Sequence, residues 1–158
     1  MNKIVMIKPH LYLGNAVHVR TQSNEFIDLR INVIINCCNE ISYKLDESYL
    51  IKEFPIDDDA LDDSFEKYLD EAVDFIHQHL LKNSNIYVHC VHGVSRSVSI
   101  LIYYLMKHDR MSFDKAYRLI LFAKPSISPH INFIKQLKKR DLYMEHKTGG
   151  FENIFSGV

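Results

Sequence analysis

Residues 89–97, which read HCVHGVSRS, place a cysteine, a glycine and an arginine in one short segment. The apolar residues 86–88 before it are typical of a buried β-strand, and the apolar residues 98–106 after it are typical of a buried helix. The segment is therefore expected to be a short loop that leads from a strand into a helix N-terminus. Because backbone N–H groups and the helix dipole make such a loop electropositive, the sequence predicts an anion-binding site.

The residue types in this loop suit a phosphate group. Gly93 permits a backbone conformation that other residues resist, and Arg96 offers a planar fork that can bind two phosphate oxygens at once. The same positive potential favours the thiolate form of Cys90, which is the nucleophilic form of a cysteine. We expect the phosphate to be bound by Arg96 and by the backbone of Val91, His92, Gly93, Val94 and Ser95.

A cysteine that faces a bound phosphate predicts phosphoryl transfer to sulfur at Cys90. Ser97 can donate a hydrogen bond to that sulfur and stabilise it as the leaving group of a second step. We expect His89 to order the loop rather than to attack the substrate. A metal site is a weaker interpretation, because Cys90 with His89 or His92 lacks evident further ligands, and we expect no metal. Ser95 and Ser97 as simple helix caps would leave the cysteine and the arginine unexplained.

The composition indicates one domain that is not built to bind nucleic acid or a membrane. The chain has 158 residues, of which 47% are hydrophobic and 25% charged, with a formal net charge of -1. A duplex-binding protein usually needs a strongly basic face, and no apolar run approaches the ~20 residues of a membrane span. The first residues lack the pattern of a secretory signal, and three cysteines make a poor disulfide framework. We therefore expect a reducing, cytoplasmic or otherwise intracellular setting.

Strands and helices alternate along the chain, which predicts an α/β fold with a central sheet. The expected strands are the β-branched segments 31–36, 51–56 and 86–88. Helical spacing of apolar residues predicts helices over 65–80, 98–106 and 113–123. A capping box of Asp63 and Glu66 is expected at the first of these helices, and Ser112 is expected to cap the third.

A last helix is expected from Ser128 to about His146, with Ser128 as N-cap and Pro129 as first helical residue. Four of its apolar residues are expected to pack inward: Ile131, Ile134, Leu137 and Leu142. The tail, residues 148–158, begins with Gly-Gly and has no clear period. Two alternatives stay open for it: it is disordered, or it docks through Phe151 and Phe155.

The segment HCVHGVSRS matches the HCxxGxxR[ST] signature of the cysteine-dependent protein phosphatases. With SRS followed by an apolar helix that ends in YYLM, it resembles the dual-specificity subfamily, including its small poxvirus-type members. The resemblance covers roughly residues 7–142, through segments 9–15, 31–38, 54–56 and 128–133. It implies a mixed sheet of about five strands flanked by helices and a catalytic domain over residues 1–147. It also implies hydrolysis of phosphotyrosine and phosphoserine or phosphothreonine in proteins through a phosphocysteine intermediate, without a cofactor.

The family also uses an aspartic acid, which protonates the leaving oxygen and whose carboxylate then deprotonates water. The resemblance places this residue in the loop after strand 51–56, where Asp57, Asp58 and Asp59 follow one another. Counting forward from Pro55 selects Asp58, and counting back from the next helix selects Asp59. Asp58 is the first candidate, with Asp59 and then Asp57 as alternatives.

Two rival functions stay open: an RNA 5′-phosphatase on the same scaffold, and a phosphate-binding module without turnover. The acidic residues 57–59 and the near-neutral charge argue against the first. An intact cysteine, arginine and candidate acid argue against the second. Lys124 stands where related sequences often carry an arginine that favours a second phosphate, so a preference for doubly phosphorylated substrates also stays open. No pattern in the chain predicts an oligomeric state.

Overall fold

Residues 3–141, which the computed structural model describes, fold into one mixed β-sheet with helices on both faces. The elements are β1 (Val5–Lys8), β2 (Leu11–Asn15), α1 (Ala16–Thr21), α2 (Asn24–Asp28), β3 (Val33–Cys38), β4 (Leu50–Ile56), α3 (Ser64–Leu80), β5 (Ile86–Cys90), α4 (Arg96–His108) and α5 (Phe113–Ala123). A last helix, α6, covers residues 131–141. Leu142, the expected end of this helix near His146, and the tail 148–158 lie outside the described residues.

The sheet has five strands, which agrees with the number that the resemblance implies, and their order is β1-β2-β5-β3-β4. β1 pairs antiparallel with β2, and the other three pairings are parallel. The central strand β5 is buried along its whole length, which explains its continuous apolar run before His89. The carboxyl ends of β2, β5, β3 and β4 therefore meet at one edge of the sheet, and this edge is where open α/β sheets bind ligands.

The strands bury both faces, because successive side chains of a strand point to opposite sides. Ile35 and Val88 belong to the larger cluster, which packs against α3, α4, α5 and α6. Ile34 and Tyr87 point the other way and pack against α1 and α2. In α4 every residue from Arg96 to Met106 is buried, which confirms the expected core helix. This burial fixes the helix whose first turn carries Arg96.

Of the two expected helix caps, one at α5 and one at α3, the structure contains only the first. Ser112 caps α5 as expected, since its side chain accepts a hydrogen bond from the Lys115 N–H. The expected capping box at α3 is wrong, because Asp63 makes no side-chain capping bond. Asp62 takes this role instead, and its Oδ1 accepts from the Ser64 N–H at 2.9 Å.

The start of the last helix also differs from the expectation. Helix α6 begins at residue 131, and Nδ1 of His130 accepts from the Asn132 N–H at 3.1 Å. Ser128 is not the N-cap, because it lies three residues before the helix, and its N–H donates to the Val94 carbonyl at 2.8 Å. Ile131, the first residue of the helix, is 55% exposed instead of packing inward. The inward residues are Phe133 and Leu137, which are fully buried, with Ile134 partly buried against the same core.

Candidate active site

The predicted cysteine lies at the carboxyl end of the central strand. Cys90 is the last residue of β5 and is 3% exposed. Its Sγ lies 3.2 Å from Oγ of Ser97 in the first turn of α4. The Ser97 hydroxyl is thus placed to donate a hydrogen bond to a thiolate, which is the arrangement that the sequence predicted for these two residues.

Residues 90–96 form a turn, here called the anion loop, whose carbonyl groups are held by donors from outside it. Such anchoring matters because residues 91–95 belong to neither β5 nor α4 and have no regular backbone hydrogen-bond pattern of their own. The donors come from β5, from the start of α1, and from the segment between α5 and α6. The four bonds are His89 Nδ1 to Cys90 O (3.0 Å), Ala16 N to Val91 O (3.1 Å), Lys124 Nζ to Gly93 O (2.8 Å) and Ser128 N to Val94 O (2.8 Å).

These anchors set the direction of the amide groups in the anion loop. In a trans peptide the carbonyl and the following N–H point in opposite directions, and no peptide bond of the described residues is cis. Carbonyls that face outward therefore turn the next N–H groups toward the inside of the turn. The N–H groups oriented in this way belong to Val91, His92, Val94 and Ser95.

Gly93 is the residue on which the tight turn depends. Its φ is +69°, a left-handed conformation that side chains with a Cβ rarely adopt. A Cβ at this position would lie 2.4 Å from the carbonyl oxygen of Gly14 at the end of β2. The anion loop can therefore approach the neighbouring strand only with glycine here.

The Arg96 side chain is 3% exposed and is held by the loops that follow β3 and β4. Its Nη1 donates to Oε2 of Glu40 at 2.7 Å and to the Ile56 carbonyl at 3.1 Å. Its Nη2 donates to Oε1 of Glu40 at 2.5 Å. Burial alone would lower the pKa of Arg96, but the hydrogen bonds to Glu40 and the charge interactions with Cys38, Cys90 and Glu40 together outweigh it, and the pKa is raised. The guanidinium is thus a permanent buried cation.

Counting donors shows which part of this cation is left for a ligand. A guanidinium has five N–H groups, and the contacts above use those of Nη1 and one of Nη2. Nε of Arg96 is buried and makes no hydrogen bond among the described residues. The remaining N–H of Nη2 lies on the same edge as Nε, which is the edge that binds oxyanions in a bidentate manner. A buried donor without a partner is costly, so this edge has the properties of a ligand site.

The three candidate acids occupy different positions in the loop after β4. Oδ1 of Asp58 lies 3.4 Å from Nε of Arg96, and the side chain is 74% exposed. Asp57 and Asp59 interact with each other instead: their shared hydrogen bond raises the pKa of Asp57 and lowers that of Asp59. The structure therefore brings Asp58, and neither of its neighbours, to the edge of Arg96 that contains Nε.

His89 is fully buried behind the anion loop and does not face the cysteine sulfur. Its Nδ1 contacts the Cys90 carbonyl, which can only accept, so this nitrogen carries the proton. Nε2 then accepts from the hydroxyl of Tyr43 at 2.6 Å. Burial lowers the pKa of His89 to about 4, and burial raises that of Tyr43. A neutral histidine therefore holds the Cys90 carbonyl at the start of the anion loop.

Comparison with known proteins shows the family. Residues 11–141 match the family model described as the dual specificity phosphatase, catalytic domain. The chain belongs to the dual specificity phosphatase family. Human dual specificity protein phosphatase 9 is 35% identical to it over 148 residues, which cover 90% of this chain and 38% of the relative. The chain therefore spans well under half the length of this curated relative.

Solved structures share the fold of this dual specificity phosphatase domain. Human DUSP28 superposes with a TM-score of 0.82 at 21% identity, over 92% of this chain and 97% of that one. OH1 of the Orf virus, described as a tyrosine phosphatase, gives a TM-score of 0.76 at 20% identity, over 88% and 86% of the two chains. The resemblance to small viral members thus holds at the level of the fold.

Two side chains that contact this site, Glu40 and Tyr43, were not predicted from the sequence. Glu40 follows β3, so a carboxylate shortly after the predicted strand 31–36 was the available signal. Tyr43 lies further along the same loop, and nothing in its spacing links it to His89.

Neither a metal cluster nor a membrane helix accompanies this site in residues 3–141. No group of three or more His, Cys, Asp or Glu side chains there could hold a metal ion. None of the helices described is both long and apolar enough to cross a bilayer.

Proposed function

We propose that this chain hydrolyses phosphotyrosine and phosphoserine or phosphothreonine in proteins through a phosphocysteine intermediate. The observation that carries the proposal is the buried Arg96 at the end of the anion loop, whose Nε has no hydrogen-bond partner among residues 3–141. A tetrahedral dianion would satisfy this edge and the inward amides together. The family match supports the same chemistry.

In the first step, the Cys90 thiolate attacks phosphorus and forms the S–P bond while the P–O bond to the substrate breaks. The leaving oxygen takes a proton from Asp58, which is exposed and adjacent to Arg96. Arg96 and the amides of the anion loop bind the equatorial oxygens and stabilise their charge. General acid catalysis of this kind contributes about 10²- to 10⁴-fold.

In the second step, the Asp58 carboxylate takes a proton from water, and the water oxygen attacks phosphorus. The S–P bond breaks and returns the Cys90 thiolate and inorganic phosphate. The Ser97 hydroxyl, 3.2 Å from the sulfur, donates a hydrogen bond to the departing thiolate. No cofactor takes part, because Arg96 and the amides supply the positive charge.

We further propose that residues 1–147 form the catalytic domain, that its partners are phosphorylated proteins, and that it works in a reducing compartment. Cys37, Cys38 and Cys90 are all free and buried, and the nucleophile must stay reduced to react. Burial raises the pKa of Cys38 to about 12, so this thiol stays protonated and does not compete with Cys90.

Purified wild type and Cys90→Ser should be assayed, with and without EDTA, on p-nitrophenyl phosphate, a phosphotyrosine peptide, a phosphothreonine peptide and a 5′-triphosphorylated RNA. The proposal expects EDTA-insensitive hydrolysis of both peptides by wild type and none by Cys90→Ser. Hydrolysis of the RNA alone would favour the RNA 5′-phosphatase. Binding of phosphate with no turnover of any substrate would favour the silent binding module.

A further inference from the structure

The side chain of Lys124 is buried beside the anion loop, and the mechanism above gives it no task. Lys124 directly follows α5 and is 5% exposed. Lysine is almost never buried this fully unless its ammonium is paired. Here the partner is a backbone carbonyl rather than a carboxylate, since Nζ donates to Gly93 O at 2.8 Å. A buried cation therefore binds one peptide group of the anion loop.

This contact fixes the peptide between Gly93 and Val94. Glycine is the residue whose backbone rotates most freely, so this peptide has the least intrinsic preference in the loop. With Gly93 O held by Lys124, the N–H of Val94 must point the opposite way, into the turn. Lys124 thus selects the orientation that an oxyanion requires.

The ammonium also contributes charge to the site. Burial lowers the pKa of Lys124, whereas the nearby Cys90 raises it. A single side chain therefore supplies both a hydrogen-bond donor and a positive charge beside the anion loop.

We propose that Lys124 is a positioning residue of the anion loop, which acts on every phosphoryl substrate and does not select doubly phosphorylated ones. The inference rests on the proposed function, since positioning is measured by phosphate turnover. The alternative is the possibility that the resemblance left open, in which Lys124, like the arginine of related sequences, favours a second phosphate. A side chain that is 5% exposed and donates inward to Gly93 O is not directed at a second phosphate on the substrate surface.

The test compares Lys124→Met, which keeps the shape but loses the charge and the donor, with Lys124→Arg, which keeps both. Lys135→Met is the control, because Lys135 is an exposed lysine of α6. Each variant is assayed on a singly and a doubly phosphorylated form of one peptide, and its tungstate affinity and melting temperature are measured. Replacing a buried lysine by methionine removes a desolvation cost, so the variant should fold.

We expect Lys124→Met to lose about tenfold or more in tungstate affinity and in kcat/KM, equally on both peptides. Lys124→Arg should recover most of this loss, and Lys135→Met should match wild type. Unchanged tungstate affinity in Lys124→Met, or a loss confined to the doubly phosphorylated peptide, would overturn the inference. An inactive wild type would instead count against the proposed function, and the tungstate affinities would still decide the role of Lys124.

Discussion

Glu40 and Arg96 form a two-point ion pair in which the carboxylate occupies the Nη1 and Nη2 edge of the guanidinium, at 2.7 and 2.5 Å. Hydrogen bonding to Arg96 lowers the pKa of Glu40, so the carboxylate stays charged at neutral pH. Because one edge is occupied, only the edge that contains Nε remains for a phosphoryl group. Glu40 therefore determines how Arg96 is presented to the substrate.

Glu40→Gln should keep the side-chain shape but lose one charged acceptor, so Arg96 is held less firmly. We expect kcat/KM on p-nitrophenyl phosphate to fall by about tenfold or more, with a smaller change in melting temperature, since the Glu40 side chain is 45% exposed. Glu47→Gln, an exposed residue of the same loop, is the matched control. Equal kcat/KM for the two variants would rule out this role for Glu40.

Ser97→Ala should slow the breakdown of the phosphocysteine more than its formation. The hydroxyl 3.2 Å from the sulfur stabilises the thiolate as it leaves, and alanine cannot. Rapid-quench experiments should show a burst of p-nitrophenol followed by a steady rate about tenfold lower than in wild type. The control is Ser99→Ala, because Oγ of Ser99 bonds the Ser95 carbonyl and not the sulfur. A Ser97→Ala enzyme with no burst and a wild-type steady rate would contradict the assignment.

Asp58→Asn should reduce hydrolysis most where the leaving group is a poor one. A phosphothreonine peptide expels an alkoxide that needs a proton, so its kcat should fall by about 10²-fold or more. The kcat for p-nitrophenyl phosphate should fall much less, because p-nitrophenolate leaves unaided. Asp59→Asn and Asp57→Asn, made in parallel, should keep the wild-type dependence on the leaving group. If Asp59→Asn shows the selective loss instead, the count from the next helix was the right one.

His89 should make the folded state less stable in acid. Its pKa falls from 6.5 to about 4 on folding, so between these values the unfolded chain binds a proton that the folded protein does not. The free energy of unfolding therefore decreases as the pH falls through this window, by about 3 kcal/mol from this group. Denaturant titrations from pH 7 to pH 4 should show a steeper loss for wild type than for His89→Asn, whose amide can still donate to the Cys90 carbonyl. Parallel pH profiles of the two proteins would contradict the assignment of a neutral buried His89.

The residues that the sequence places in one site are those that lie close together along the chain. Cys90, Gly93, Arg96 and Ser97 lie in one turn, so the strand before it and the helix after it fix their geometry. Asp58 was reached by counting along a neighbouring strand, and the count was ambiguous by one residue. The contact of Glu40 with Arg96 joins two separate loops. Predicting it would have required the order of the strands in the sheet and the conformation of each loop.

The wrong expectations about helix starts have a related cause. Ser128 has the residue type of an N-cap, but its N–H is used by the Val94 carbonyl of the anion loop, and the helix starts later. At the start of α3, the capping hydrogen bond comes from Asp62 and not from Asp63, because the local turn places the Asp62 carboxylate beside the Ser64 N–H. In both cases several residues have side chains that could cap the helix. Tertiary contacts or the geometry of the local turn determine which of them does so.

The central claim is that the anion loop, with Arg96, binds a tetrahedral dianion over the Cys90 sulfur. A crystal structure of the chain with tungstate tests it most directly. The account predicts the anion above Sγ of Cys90, with one oxygen on Nε and another on Nη2 of Arg96, and with the amides of residues 91–96 around it. Density for tungstate elsewhere on the protein, with the anion loop empty, would contradict the account.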